Sequence, residues 1–253
     1  MKERSKTPET LDERAFLAEY DASHYPHPSV TTDVALVTVG AEHLRAVLIK
    51  RTRHPHLGEW GLPGGFVAMD QSLDEAANAV LTKKVGISGI FLEQLYTFGN
   101  PSRDPRTRVL TVAYYALVDE AKLMSDQRMN GGVTLAKLHV PWKGERGGPV
   151  RALDEQGNEL PLAFDHAEIL GMVVQRLRGK LDYAAIGFEL LPRNFTLRRL
   201  QMIHETILGR PLNKDSFRRR MLASDLIVAT GKHEADVGHR PAALYRFKRK
   251  RSG

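Results

Sequence analysis

The sequence predicts an α+β chain in two parts. Residues 1–190 form a mixed-sheet α/β/α sandwich, and residues 191–253 form a small basic helical module. Three observations carry this. Apolar and β-branched runs of strand length recur through residues 30–118 without strict alternation with helices, which is the pattern of a mixed sheet. The segment GLPGGFVAMDQSLDEAANAVLTKKVGI, residues 61–87, sets a glycine-rich loop before one amphipathic helix. The charge is also divided. Residues 191–253 hold 15 Lys and Arg against 5 Asp and Glu, a balance of +10 within a whole-chain +7, so residues 1–190 carry −3. A nearly neutral body with a basic terminal module points to a polyanionic partner.

The elements follow in order. Residues 13–21 read as a short helix, and Pro26 and Pro28 lead into extended chain. Residues 30–39 and 45–50 read as two strands joined near Gly40. In the helix that follows residue 72, Ser72 is the expected N-cap, with Glu75 completing a capping box. Leu73, Ala76, Ala77, Val80, Leu81 and Val85 make its apolar stripe. Residues 90–98 and 109–118 read as strands around a loop dense in turn formers and charge. Residues 125–161 read as edge strands and loops, 163–179 as a helix, and 183–190 as a last strand.

Past Pro192 the pattern changes. Residues 195–208 form an amphipathic helix with Thr196 as cap and Gly209 as stop. A second helix runs from Lys214 or Asp215 to about Ser224, with Phe217, Met221 and Leu222 inward, so that most of Arg218, Arg219 and Arg220 faces out. Two strands, at 226–228 and 243–247, flank a polar tip that carries Lys232, His239 and Arg240. Helix, turn, basic helix and wing make a winged helix-turn-helix, which sets a helix in the major groove of DNA and a wing along the backbone. Lys214, Arg218, Arg219, Arg220, Lys232, His239 and Arg240 are the candidate DNA contacts; a solvated basic face, or a protein-docking winged helix, is the alternative.

No Cys is present, which removes disulfide, thiol and zinc-thiolate chemistry. No run is long and apolar enough to span a bilayer, and the polar start, residues 1–12, does not read as a signal peptide. A cytoplasmic location is expected.

Residues 61–87 resemble the Nudix box. Its two glycines fall on Gly65 and Gly86 and its apolar positions on Leu81 and Ile87. Its charged positions fall on Gln71, Ala79, Val80, Lys83 and Lys84. Nudix hydrolases hold Mg²⁺ through the helix carboxylates, and a hard cation needs oxygen ligands. Val80 and the two lysines supply none. No cofactor or metal and no catalytic residue is therefore expected. Asp70, Asp74 and Glu75 lie near, but favour by their position the helix N-terminus. Lys83 and Lys84 are either solvated charges or phosphate contacts.

A Nudix-like domain followed by a winged helix resembles the NrtR family of transcriptional regulators. Tyr20-Asp21 with residues 25–28 (YPHP), 62–67 (LPGGFV), 93–99 (EQLYTFG), 103–106 (RDPR), 163–166 (AFDH), 195–197 (FTL), 208–212 (LGRPL), 217–219 (FRR) and 240–242 (RPA) carry the likeness. The resemblance implies a homodimeric repressor on operator DNA. It also implies that the Nudix-like domain senses ADP-ribose or a related nucleotide, and that this ligand weakens DNA binding. Two features depart from the family: His239 stands where its wing often has Gly, and residues 143–157 are unusually rich in Gly and charge.

Candidate ligand contacts follow. Gly64, Gly65 and Phe66 form the loop beside a diphosphate. Arg51, Arg53, Arg103 and Arg106 match phosphate oxygens, although a surface ion pair is the commoner use of any one of them. Asn100, Asp104 and Asp165 are placed for ribose hydroxyls. His166, alone at a helix start, reads as a capping or core residue rather than a general base. The alternatives to a ligand-gated regulator are a residual metal-dependent hydrolase of ADP-ribose-like substrates and a protein-docking scaffold.

Overall fold

A computed structural model describes residues 13–40, 43–125, 132–181, 185–235, 238 and 240–248. A mixed nine-stranded sheet forms its centre. Its strands are β1 (Ser29–Val39), β2 (Leu44–Lys50), β3 (Trp60–Gly61), β4 (Gly64–Phe66), β5 (Glu93–Phe98), β6 (Val109–Leu117), β7 (Val133–His139), β8 (Arg151–Leu153) and β9 (Glu159–Leu160). The spatial order is β5-β6-β1-β2-β7-β8-β9, with β3 paired to β2 and β4 to β1. The β1–β6 pair is parallel and the other pairs are antiparallel. The expected mixed sheet is therefore present.

Successive residues of a strand face opposite sides of its sheet, and both faces are buried here. On β1, Val34 and Leu36 join Val112 and Tyr114 beneath helix α2 (Leu73–Val80). Ala35, Val37 and Val39 join Ala113 and Tyr115 on the other face, beneath helix α4 (His166–Lys180). This gives the α/β/α layering. Each fully buried Leu or Val contributes about 1.5–3 kcal/mol.

Helix α2 begins as its sequence dictates. Ser72 Oγ accepts from the Glu75 amide at 3.3 Å, and Glu75 accepts from the Ser72 amide at 2.9 Å. The helix ends in a wider π-helical turn, Leu81–Val85, closed by Gly86 in the left-handed region at φ 84°. A short N-terminal helix α1 (Glu13–Glu19) buries none of its residues, and helix α3 (Glu120–Ser125) follows β6.

Three expectations need correction. Of the strand expected at 183–190, residues 183 and 184 lie outside the described residues and Ala185–Leu190 is a 3-10 helix, with Leu190 buried in one cluster with α4 and the C-terminal module. An apolar run too short to show its period reads equally as strand or helix. β7 and β8 are inner strands, and of the strands expected as edges in residues 125–161 only β9 lies at the end of the sheet. Leu222 points outward, 47% exposed, because Phe217 and Met221 fill the inward stripe of their helix.

The C-terminal module comprises α5 (Leu197–Leu208), α6 (Lys214–Ala223) and the hairpin β10 (Ile227–His233) with β11 (Ala243–Phe247). The second helix and the hairpin are as expected, though β10 runs on through residues read as the polar tip. The first helix starts at Leu197, not 195, because Phe195 exchanges backbone hydrogen bonds with Tyr245 of the wing. Thr196 and Gly209 cap it as expected. Leu200, Ile203 and Ile207 of α5, Phe217 of α6 and Leu177 of α4 belong to one hydrophobic cluster. The module is thus packed onto the sheet's α4 face. Among the described residues no helix is long and apolar enough to cross a membrane.

Candidate functional site

The edge of β1 and the loops around it enclose a cleft of about 460 Å³. Arg51 and Arg53 enter from the loop after β2, and Gly64, Gly65 and Phe66 from β4. Arg103, Asp104 and Arg106 enter from the loop between β5 and β6. These eight expected residues meet in one place although they come from separate parts of the chain. Asn100 and Asp165 do not line the cleft. Asn100 Oδ1 holds its own turn by accepting from the Ser102 amide and hydroxyl, at 2.9 and 2.8 Å.

Asp165 instead takes Arg103 in a bidentate pair, Nε–Oδ2 at 2.8 Å and Nη2–Oδ1 at 2.7 Å. Asp33 lies 3.4 Å from the same Nη2. Burial opposes the charge on Arg103, but the hydrogen bonds to Asp165 and the fields of three carboxylates outweigh it and raise its pKa. The guanidinium therefore ties the β5–β6 loop to the start of α4, which differs from the phosphate-facing role its sequence position suggested. Arg106 similarly grips Asp104 at 3.0 and 2.7 Å and lies over the Phe66 ring at 5.6 Å. Those hydrogen bonds hold Asp104 below the ordinary carboxylate range.

Among the further residues that line the cleft are Asp33, Lys84, Phe164 and His166. Asp33 accepts from the Thr111 hydroxyl at 2.8 Å. It also explains Gly64, since a Cβ there would lie 2.0 Å from Asp33 Oδ1 and 2.9 Å from the Thr32 carbonyl. A carboxylate inside the apolar run of β1 was the sequence signal for it, because unpaired acids are rarely buried. His166 is buried, and its Nδ1 accepts the Leu62 amide at 2.9 Å. It is a satisfied core histidine, as its sequence position suggested. Phe164 sits at φ 54°, strained for a bulky residue, with Arg51 over its ring at 4.7 Å. No sequence signal announces that conformation.

The donor set does not suit a metal ion. The helix positions that a Nudix hydrolase fills with carboxylates hold Val80, buried in the core, exposed Lys83, and Lys84, whose ammonium turns into the cleft and donates to the Gly64 carbonyl. Glu75 is spent on its capping box. Asp74 accepts the Tyr114 hydroxyl at 2.7 Å, and burial together with this partner pushes that tyrosine up to about 12. Among the described residues no three His, Asp or Glu converge as metal ligands.

The second candidate face lies on the C-terminal module. Asn213 caps α6 by accepting from the Ser216 amide at 2.9 Å, and Arg218, Arg219 and Arg220 are all exposed on that helix. A groove of about 920 Å³ runs between α5, α6 and the wing. Lys214, Arg218 and Arg240 line it, joined by Arg198 and Arg199, which the sequence reading had left out. Lys232 is exposed on β10, and His239 lies outside the described residues. Arg220 also lies over the Phe217 ring at 5.7 Å.

The chain is similar to known proteins along nearly its whole length. Residues 187–247 match the family model described as the NrtR DNA-binding winged helix domain. Over 237 residues, 93% of this chain and 88% of the relative, it is 40% identical to the ADPR responsive transcriptional repressor NtrR of Acinetobacter baylyi. The chain belongs to the NrtR family. The crystal structure of Shewanella oneidensis NrtR complexed with a 27mer DNA superposes with a TM-score of 0.71 at 35% identity, covering 87% of this chain and 93% of that one. A MutT/nudix family protein from Enterococcus faecalis superposes with a TM-score of 0.73 at 25% identity, covering 95% of each chain. The Nudix-like sheet and the winged helix of this NrtR-family chain are therefore a shared architecture.

Proposed function

We propose that this NrtR-family protein is an ADP-ribose-responsive repressor. Residues 191–253 bind operator DNA as part of a homodimer, and the Nudix-like residues 1–190 hold the nucleotide without cleaving it. The observation that carries this reading is helix α4. At its start, Asp165 and His166 bind the Arg103 guanidinium and the Leu62 amide in the cleft. Near its end, Arg178 Nε donates to the Ile207 carbonyl at 2.8 Å, at the last turn of α5. A helix of 15 residues spans about 22 Å. One rigid rod thus runs from the cleft to the last turn of α5 in the basic module, and a ligand that shifts its first end biases how that module is held.

The relative from Acinetobacter baylyi, named for its response to ADPR, supports the choice of nucleotide. The Shewanella oneidensis complex supports DNA as the partner of the basic module. Arg51, Arg53 and Arg106 are the proposed phosphate contacts, with Gly64, Gly65, Phe66 and Asp104 around them. Lys214, Arg218, Arg219, Arg220, Lys232 and Arg240 are the proposed DNA contacts. Hydrolysis is not expected, since Gln71, Val80, Lys83 and Lys84 leave the helix without metal ligands.

Fluorescence anisotropy with the DNA upstream of the protein's own gene tests the reading. Binding at moderate salt that weakens on adding ADP-ribose is the expected result. Salt must be fixed, because a basic module binds any DNA at low ionic strength. Operator binding indifferent to ADP-ribose, or AMP release in Mn²⁺, would overturn it.

A further inference from the structure

Among the cations of the cleft, two already serve carboxylates. Arg103 is paired with Asp165 and Arg106 with Asp104, each through its Nε and Nη2. Lys50 and Arg53 also line it, and Lys84 and Arg51 are held by backbone: Lys84 donates to the Gly64 carbonyl, and Arg51 Nε to the Pro55 carbonyl at 2.9 Å. Each keeps donors and a full charge beyond those bonds. Lys84 stands at the last carboxylate position of the box, where the π-helical turn delivers its ammonium beside the glycine loop. Both Lys83 and Lys84 are exposed, but only Lys84 lines the cleft.

We propose that the Lys84 ammonium takes the place of the divalent cation, as a fixed positive charge that binds the diphosphate of the nucleotide and makes recognition independent of metal. The inference rests on the ADP-ribose reading above. The chemistry is consistent: an ammonium is a compact point charge with three donors, suited to bridging phosphate oxygens, but it cannot activate water as a metal does. Burial lowers the pKa of Lys84, Asp33 offsets this in part, and Arg51 lowers it further. Arg51 is itself lowered by burial and then by Arg106. Two cations facing one cleft repel each other, and a diphosphate between them relieves that repulsion. The same substitution that removes the metal thus supplies the charge needed to hold the ligand.

Calorimetric titration of the full-length protein with ADP-ribose, in EDTA and then in excess Mg²⁺, tests this. The two affinities should agree within about twofold. Lys84→Met should weaken binding about tenfold or more, as for a lost charge-assisted hydrogen bond. Lys84→Arg should keep most of the affinity, and Lys83→Met should leave it unchanged. Thermal melts of each variant identify any that fails to fold, and the EDTA comparison on the parent protein stands regardless of them. Binding that collapses in EDTA, or a folded Lys84→Met variant with parental affinity, would overturn the proposal while leaving the ADP-ribose reading intact. Absence of ADP-ribose binding by the parent under both conditions would instead overturn that underlying reading.

Discussion

The backbone amide of Leu62 donates to Nδ1 of His166 at 2.9 Å, joining the glycine loop to the first residue of α4 across 104 positions of chain. An accepting Nδ1 leaves the ring proton on Nε2, which faces Asp33 Oδ1 at 3.7 Å. A second proton would destroy the hydrogen bond to Leu62. Burial lowers the pKa of His166 below its ordinary 6.5, against the raising effect of Asp33 and Asp165.

This predicts a specific acid sensitivity. With the folded-state pKa below the unfolded value, the unfolded chain binds the proton more readily. The stability that neutral His166 supplies is therefore complete above about pH 6.5 and is lost as pH falls toward the folded-state pKa. Urea titrations from about pH 7.5 to about pH 5 should show the parent losing stability over this window. His166→Asn keeps an acceptor and cannot titrate, so it should lose distinctly less. An equally steep loss in that variant would assign the acid limb to another group.

The Arg103–Asp165 pair gives a second prediction. The Arg103 side chain is only 4% exposed, so removing its partner leaves a buried charge with Asp33 alone, at 3.4 Å. Breaking such a pair costs about 3 kcal/mol or more, which for a chain of this size lowers Tm by about 6–12 °C. Asp165→Ala should show that loss. The double replacement Arg103→Met with Asp165→Leu should fall by less than the single one, because no buried cation is then stranded and Asp33 still accepts from the Thr111 hydroxyl. Calorimetry on the two variants decides between this and a merely superficial ion pair.

What the sequence made legible follows the range of the interactions involved. The α2 capping box, the Thr196 cap and the Gly209 stop are local, set within four residues, and could be read directly. The two-faced burial of β1 was legible because its apolar run is long. Residues 185–190 were misread since six residues do not reveal a period. The cleft was legible as a set of types: arginines and glycines that only the fold brings together. Their division of labour was not legible. That Arg103 belongs to Asp165 while Lys84 keeps its charge for the cleft depends on contacts between segments 62 and 20 residues apart. Phe164 at positive φ depends on packing alone.

Arg178 predicts where the coupling runs. Its guanidinium binds the carbonyls of Ile207 and Gly144 at 2.8 Å and Trp142 at 3.3 Å, and lies 4.8 Å over the Trp142 ring. A cation at the C-terminal turn of α5 also complements that helix dipole. Arg178→Met keeps the apolar stem but removes all three hydrogen bonds. The variant should still bind ADP-ribose and DNA separately, with each less able to displace the other. Coupling is reciprocal, so the factor can be measured from either side. A parental factor in a folded variant would move the communication path away from Arg178.

The exposed arginines of α6 divide into two kinds by position. Arg218 lines the groove with Lys214 and Arg240, whereas Arg219 and Arg220 do not. A helix lying in the major groove sends some side chains to base edges and others to phosphates, and the two uses leave different marks. A lost phosphate contact weakens binding to every sequence and lowers the salt slope by about one, while a lost base contact costs about 1–3 kcal/mol and relaxes specificity at one position. Arg218→Ala and Arg219→Ala, each titrated on operator and scrambled DNA over a range of salt, should both weaken DNA binding and leave ADP-ribose affinity as in the parent. The N-terminal residues of a recognition helix meet base edges, and Arg218 is nearer the start of α6, so Arg218 is the one expected to relax specificity, and Arg219 the one expected to reduce the salt slope. If neither variant alters operator binding, α6 is not the helix that enters the groove.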